Sequence, residues 1–353
     1  MVKGKGEFDV AKARTTIEKG RRAKWITRHG RRAGRFSYRN GDARAITDEE
    51  TIERINSLVI PPAWTHVRIN PFGGGKIQAV GIDSTGRVQY RYHPVFAAKQ
   101  QKLKFAKIER FGLALPHLRR VTNEHIALDG LPREKVLAVV MRLINSLYFR
   151  VGTDQSARIY RTYGVTTLQK RHLSVGRKGE LIFDFVGKSH VQHRKLIVDE
   201  ELASIVKEIA SLGRGRKLFR YLNGDGKPKP VTPSQINAYL KSAAGPEFSA
   251  KDFRTWGGSV LAAAEFAALG PAESEAQVKK NIVRVVKKVA EELGNTPTVC
   301  RGSYIHPTVI EAYSAGVTIE EFRRKGSRQI HRTAAELDPE ESALIKLFES
   351  FGK

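Results

Sequence analysis

Between Glu275 and Leu293 the apolar residues Val278, Ile282, Val285, Val286, Val289 and Leu293 recur, and the run stops at Gly294. Only a helix lines those side chains along one stripe, and glycine is the residue that closes a helix in left-handed geometry. Such a stripe has to be buried, so the rest of the chain must supply a largely helical core for it. Residues 133–149 follow Pro132, a favoured first-turn residue, and bring Val136, Val140, Leu143, Ile144 and Leu147 to one face. Thr232-Pro233-Ser234-Gln235 has the cap, proline and capping-box glutamine of a helix start, and this helix runs to about residue 244, before Gly245-Pro246. Residues 258–269 form another helix, stopped by Gly270-Pro271, and Pro307 opens one that runs to about residue 315. Asn295-Thr296-Pro297 reads as loop, which leaves Tyr304 on a loop just ahead of that last helix.

The first hundred residues follow a different period. Residues 48–58 read as a short helix ended by Pro61-Pro62, and strands follow at 67–69, 76–82 and 87–92, the last two joined by Asp83-Ser84-Thr85-Gly86. Three more strands are expected at 165–168, 180–186 and 191–198. Gly187-Lys188-Ser189-His190 links the last two, so Lys188 sits at a hairpin tip. The fold class is α+β: a small N-terminal domain with an antiparallel β-sheet, then a larger, mainly α-helical domain that contains a small three-stranded sheet. The expected division is a basic arm over 1–44, a strand-rich domain over 45–98 and the helical domain over 99–353.

Charge narrows the partner. The 353 residues carry 62 Lys+Arg against 36 Asp+Glu, a net charge of +26. Such an excess repels itself in a compact chain and points to a polyanion, nucleic acid first. A ribosome-associated or merely solubilised protein has the same composition. No run of about 18 apolar residues is present to span a bilayer, so a cytoplasmic, nucleoid-associated protein without a membrane partner is expected. Cys300 is the only cysteine, which rules out an intrachain disulfide framework and a cysteine-built zinc site. His190 and His193, three apart on an expected strand, point to opposite faces, so no metal is expected. Phe185-Val186-Gly187-Lys188-Ser189 looks like the end of a nucleotide phosphate loop but has Ile182 where the first glycine belongs. Gly73-Gly74-Gly75-Lys76 lacks the following Ser or Thr and precedes a strand. No cofactor is expected.

Four blocks carry a resemblance. They are Leu147-Tyr148-Phe149-Arg150-Val151-Gly152, Phe185-Val186-Gly187-Lys188, Lys251-Asp252-Phe253-Arg254-Thr255-Trp256-Gly257, and Leu293-Gly294-Asn295-Thr296-Pro297 through Ser303-Tyr304. In order and separation they resemble the poxvirus-like type IB DNA topoisomerases of viruses and bacteria, from about residue 48 to the helix after Tyr304. Gly86-Arg87-Val88-Gln89-Tyr90-Arg91-Tyr92 is similar to the DNA-contacting strand of that family's N-terminal domain.

The resemblance implies that Tyr304 is a nucleophile and that Arg150, Lys188 and Arg254 assist it. A phenol that attacks a phosphodiester keeps the bond energy in a 3′-phosphotyrosine ester, so strand cleavage and resealing need neither ATP nor metal. Two guanidinium forks suit the charge spread over the non-bridging oxygens. Lys188, beside concentrated positive charge, is suited to protonate the expelled 5′ oxygen. Lys251 is a further expected phosphate contact. Nine residues before the tyrosine the viral members carry histidine where this chain has Asn295, which donates a hydrogen bond but carries neither charge nor proton. The expected partner is duplex DNA, gripped by a monomer that clamps around it. Within the strand at 87–92, Gln89 and Arg91 share one face and Tyr90 and Tyr92 the other; all four are candidate DNA contacts, with a place in the small core the alternative for the two tyrosines. Two alternatives remain. A tyrosine site-specific recombinase uses the same chemistry but normally carries a His-x-x-Arg pattern where this chain has Lys251-Asp252-Phe253-Arg254. A non-catalytic basic DNA-binding protein accounts for the charge alone.

Overall fold

The structure, a computed structural model, describes residues 24–30, 36–323 and 335–351. The start of the expected basic arm lies outside them. The chain divides into two compact units, 1–104 and 105–353.

The first unit is built on a five-stranded antiparallel sheet. Strands β1 (Ile26–His29) and β2 (Ser37–Arg39) precede helix α1 (Glu49–Ser57), and β3 (Thr65–Ile69), β4 (Ile77–Ile82) and β5 (Val88–Tyr92) follow it, in the spatial order β2-β1-β3-β4-β5. The expected short helix and three strands are all present. The two leading strands fall inside the stretch read as a basic arm, because its cations masked its alternation. Arg28 shows what such a cation does. Its guanidinium donates to the carbonyls of Pro61 at 3.1 Å and Trp64 at 2.5 Å and lies 4.2 Å from the centroid of the Phe36 ring. It satisfies the carbonyls of a proline-rich turn that has few N–H groups of its own. Asp48 caps α1 by accepting from the Thr51 N–H at 2.9 Å. Ile26, Tyr38, Ile55, Val67, Ile69 and Ala79 form the core beneath.

Helix α2 (Pro94–Ile126) carries the chain into the second unit. There α3 (Arg133–Leu147) runs through the centre, buried at every position from Val136 to Ile144. Next come α4 (Asp154–Tyr160) and a three-stranded antiparallel sheet of β6 (Leu173–Val175), β7 (Glu180–Val186) and β8 (Gln192–Val198). The strand expected at 165–168 is instead a single 3₁₀ turn, and the first strand of the sheet lies eight residues later. The β-branched run misled because its hydroxyls are already engaged: Thr166 Oγ1 donates to the earlier Val151 O at 2.9 Å, and Thr167 Oγ1 accepts from the Gly164 N–H at 3.0 Å.

Helix α5 (Glu200–Ser211), the short pair β9 (Arg220–Leu222) and β10 (Pro228–Pro230), and α6 (Pro233–Ala244), which has the expected Thr232/Gln235 capping box, complete the middle of the chain. Helix α7 (Ala250–Leu269) starts eight residues before the expected 258. Asp252 anchors that start, accepting from the Ser249 N–H at 2.8 Å and pairing with Lys107 at 2.8 Å. Helix α8 (Glu275–Leu293) has the expected bounds and ends on Gly294 at φ 59°. Thr296-Pro297 is not loop: it opens a seven-residue helix, α9 (Pro297–Ser303), whose first turn is capped by Thr296. Then come α10 (Pro307–Ser314) and α11 (Pro339–Phe351).

Candidate active site

Two arginines meet at the C-terminal end of α8. Arg254, on the second turn of α7 and 4% exposed, donates through Nη2 to Leu293 O and through Nη1 to Tyr148 O, both at 2.7 Å. Arg150, three residues beyond α3, donates through Nη2 to Gly294 O at 2.9 Å and to Asn295 Oδ1 at 2.5 Å. The last carbonyls of a helix have no intrahelical partner and carry its negative pole, so this end accepts buried cations. Burial and the neighbouring charge of Arg254 pull the Arg150 guanidinium down to about 10, while the Tyr304 hydroxyl opposes the shift. Burial pushes Arg254 the same way, and again Tyr304 opposes it. Each arginine is therefore charged at neutral pH, incompletely compensated, and eased by an arriving anion.

Tyr304 is the C-cap of α9 rather than a loop residue, and its N–H donates to Cys300 O at 2.8 Å. Its ring centroid is 5.2 Å from the Arg254 guanidinium carbon. The backbone of residue 304 rests on α7: a Cβ at Gly258 would lie 2.5 Å from Tyr304 O. Ser259 Oγ, which donates to Thr255 O, accepts from the His306 N–H, both at 2.9 Å. Arg150, Arg254, Asn295 and Tyr304, drawn from four segments, thus occupy one place. Among the described residues, Arg254 Nε and Asn295 Nδ2 are buried donors without a partner, an expensive state unless a ligand meets them. Cys300 is no rival nucleophile, since burial pushes its thiol up to about 11.

Lys188 lies at the β7–β8 hairpin tip as expected, exposed and without a hydrogen bond or ion pair among the described residues. Ser189 and His190 after it are both left-handed, at φ 63° and 58°. Gly187, its neighbour, lines a narrow cavity together with Arg150, Arg254, Tyr163, His193 and Lys195. Among the described residues, no hydrogen bond or ion pair joins Lys188 or the exposed Lys251, on the first turn of α7, to the other four residues. In the first unit, Gln89 donates to Asp83 Oδ2 at 2.9 Å, and Arg91 donates to Val59 O at 2.5 Å with its guanidinium 5.9 Å from the Trp64 ring. Both are engaged within that unit. Tyr90 and Tyr92, on the other face, stack at 5.8 Å.

His193 and Lys195 are the residues that sequence reasoning missed. They share a face of β8, and Lys195 Nζ donates to Glu292 O at 2.8 Å, which ties β8 to the end of α8. His193 stacks on Phe185 at 5.3 Å and packs so closely that a Cβ at Gly294 would lie 2.2 Å from its ring. Burial, then the charges of Arg150 and Lys195, hold this imidazole down at about 4, so it is neutral. Beyond the shared Tyr163, a cleft of about 740 Å³ is lined by Arg158, Arg161, Lys170, Arg171 and Arg216. No group of three or more His, Cys, Asp or Glu among the described residues is placed to hold a metal, and no described helix is long and apolar enough to cross a membrane.

Residues 94–332 match the family model described as the catalytic core of eukaryotic DNA topoisomerase I, and residues 35–83 match the N-terminal domain of bacterial DNA topoisomerase IB. The chain belongs to the type IB DNA topoisomerases. Among its relatives, DNA topoisomerase 1B of Acanthamoeba polyphaga mimivirus is 30% identical over 286 residues, covering 79% of this chain and 84% of that protein. DNA topoisomerase 1B of vaccinia virus, strain Copenhagen, is 24% identical over 238 residues, 66% of this chain and 71% of that one. DNA topoisomerase 1 of Mycosarcoma maydis is 24% identical over 203 residues, 53% of this chain but 19% of that longer protein. The two family matches reach into both units, and the match over 94–332 covers all four motif blocks.

Proposed function

We propose that this topoisomerase relaxes supercoiled duplex DNA through a covalent ester at Tyr304. The phenolic oxygen attacks the scissile phosphorus, the bond to the 5′ oxygen breaks, and the strand stays attached as a 3′-phosphotyrosine until the 5′ hydroxyl returns. Arg150 and Arg254 hold the non-bridging oxygens, Asn295 adds a neutral donor, and Lys188 protonates the departing oxygen. Lys251 contacts an adjacent phosphate. No ATP or metal enters, because one ester replaces another. The observation that carries this reading is the convergence of a phenol, two guanidiniums and a carboxamide at the C-terminus of α8, with two buried donors among them lacking partners.

The partner is duplex DNA, and one copy of the chain closes around it. The net charge of +26 and the arginine-lined cleft beside Tyr163 support this, as does the exposed Tyr92 of β5. Such a protein belongs with the nucleoid. The test is supercoiled plasmid incubated with the wild-type chain in EDTA without nucleotide, followed by detergent trapping. Relaxation and a covalent adduct are expected, and Tyr304→Phe abolishes both while binding persists. Relaxation by the Phe variant overturns the assignment; strand exchange confined to defined sites points to a recombinase.

A further inference from the structure

The glycine run at 73–75 ties off the turn between β3 and β4, which Phe72 opens, its carbonyl accepting from the Gly75 N–H at 3.2 Å. At 74% exposed, Phe72 is the most exposed large apolar side chain among the described residues. A loop left to itself folds such a ring inward. This one is held open. Gln78, 2% exposed, donates through Nε2 to Phe72 O at 3.3 Å, Gly73 O at 2.7 Å and Gly75 O at 2.6 Å. Asn70, 8% exposed, accepts from the Phe72 N–H and donates to Ile77 O, both at 3.0 Å. Arg54 braces both residues, donating to the Gln78 side-chain Oε1 at 3.2 Å and to the Asn70 backbone carbonyl at 2.9 Å. A Cβ at Gly75 would lie 2.2 Å from Asn70 Nδ2, so only glycine lets the turn close over that amide.

Two buried amides and a guanidinium thus fix one backbone conformation, and its product is an outward-facing ring. That is pre-organisation for contact, since ordering costs are met before a partner arrives. The same end of the sheet supplies the rest of a nucleic-acid surface. Ile77 pairs with Tyr92, and the His93 N–H donates to Lys76 O at 3.0 Å. Tyr92 stacks on Tyr90 at 5.8 Å and meets Phe96 in a tilted pair at 5.5 Å, and the Lys76 ammonium lies 6.0 Å from the Phe96 ring. Cations for phosphates beside apolar faces for bases are the equipment of proteins that wedge into duplex DNA.

We propose that Phe72 is an apolar wedge that inserts at a base step of the bound duplex, with Lys76 on a neighbouring phosphate. The proposal rests on the DNA reading above and adds a contact remote in sequence from the cleavage chemistry. The experiment uses duplexes carrying one 2-aminopurine at successive positions, bound to the full chain in a Tyr304→Phe background that prevents cleavage. Emission is expected to rise at one or two adjacent positions, where the stack is opened. Adding Phe72→Ala should abolish the rise and weaken binding roughly ten- to a hundredfold. The slope of log affinity against log salt should stay unchanged, since no phosphate contact is lost. Lys76→Ala should lower that slope by about one unit. Gly75→Ala keeps the ring but displaces Asn70, and should lose the emission signal like Phe72→Ala; Phe72→Trp should keep it. Unchanged emission at every position, or a Phe72→Ala variant that binds and perturbs the duplex like its parent, overturns the wedge. So does a Phe72→Ala variant that alters only self-association. None of these outcomes touches the topoisomerase reading, which fails separately if the wild-type chain neither relaxes plasmid nor forms an adduct.

Discussion

Arg254 is nearly sealed from water, and two backbone carbonyls, Leu293 O and Tyr148 O, make its charge tolerable there. A lysine keeps the charge but not the fork, so Arg254→Lys cannot hold both carbonyls and still address an oxyanion. Its single-turnover cleavage rate should fall about a hundredfold or more, read by quench-flow on a labelled duplex. His193 gives a second residue-level prediction. Its folded pKa of about 4 lies below the ordinary 6.5, so between those values the unfolded chain binds more protons. The stability that comes from keeping it neutral is complete above pH 6.5 and lost as pH falls toward 4. His193→Phe should flatten the decline in urea midpoint across that window. Arg150, Arg254, Asn295 and Tyr304 were legible because each sits in a motif block. His193 was not, because a histidine on an isolated strand offers the sequence only a metal-ligand reading. Its place follows from strand pairing: it stands opposite Phe185 on a hairpin and next but one to Lys195, which reaches the same helix end.

At the scale of elements, the site depends on how helices begin and end. Gly294 closes α8 at φ 59° directly over His193, so a side chain there is strained by the backbone and obstructed by the ring. Gly294→Ala should lower the unfolding free energy by at least about 1 kcal/mol and shift the Asn295 turn, with cleavage reduced more than duplex binding. Helix α11 is pinned by one buried carboxylate: Glu341 accepts from Arg119 at 2.8 and 2.9 Å and from Trp256 Nε1 at 3.0 Å. Glu341→Leu leaves Arg119 buried without its counter-charge and should cost about 3–5 kcal/mol, seen in thermal or chemical unfolding. Helix ends were readable where the cap residues were taken at their word, as at Thr232 and Gly294. Thr296-Pro297 carries the same cap-and-proline signature as Thr232-Pro233, and passing over it left α9 unseen and Tyr304 on a loop. The run 165–167 failed for the opposite reason, because its threonine hydroxyls bond the carbonyls of Val151 and Gly164, and context of that kind overrides β-propensity.

For the whole molecule the governing quantity is charge. If the partner is duplex DNA, affinity should fall by about 10³ or more between 50 and 200 mM salt, measured by fluorescence anisotropy. A neutral competitor should have no comparable effect. The α+β class and the two periods of the chain were plain in the sequence, because strand alternation and helical stripes are local signals. The first two strands were hidden, since Arg28 reads as a surface cation until Pro61 and Trp64, more than thirty residues on, turn out to be what it bonds.

Residue 304, at the end of α9, lies against the helix that carries Arg254, with its carbonyl over Gly258. A polynucleotide end esterified there would be moored to the core rather than to a swinging arm. Torsion released during a catalytic cycle would then be spent in the unattached duplex, and the enzyme would act as a fixed bearing whose drag is set by the surface the free end brushes past.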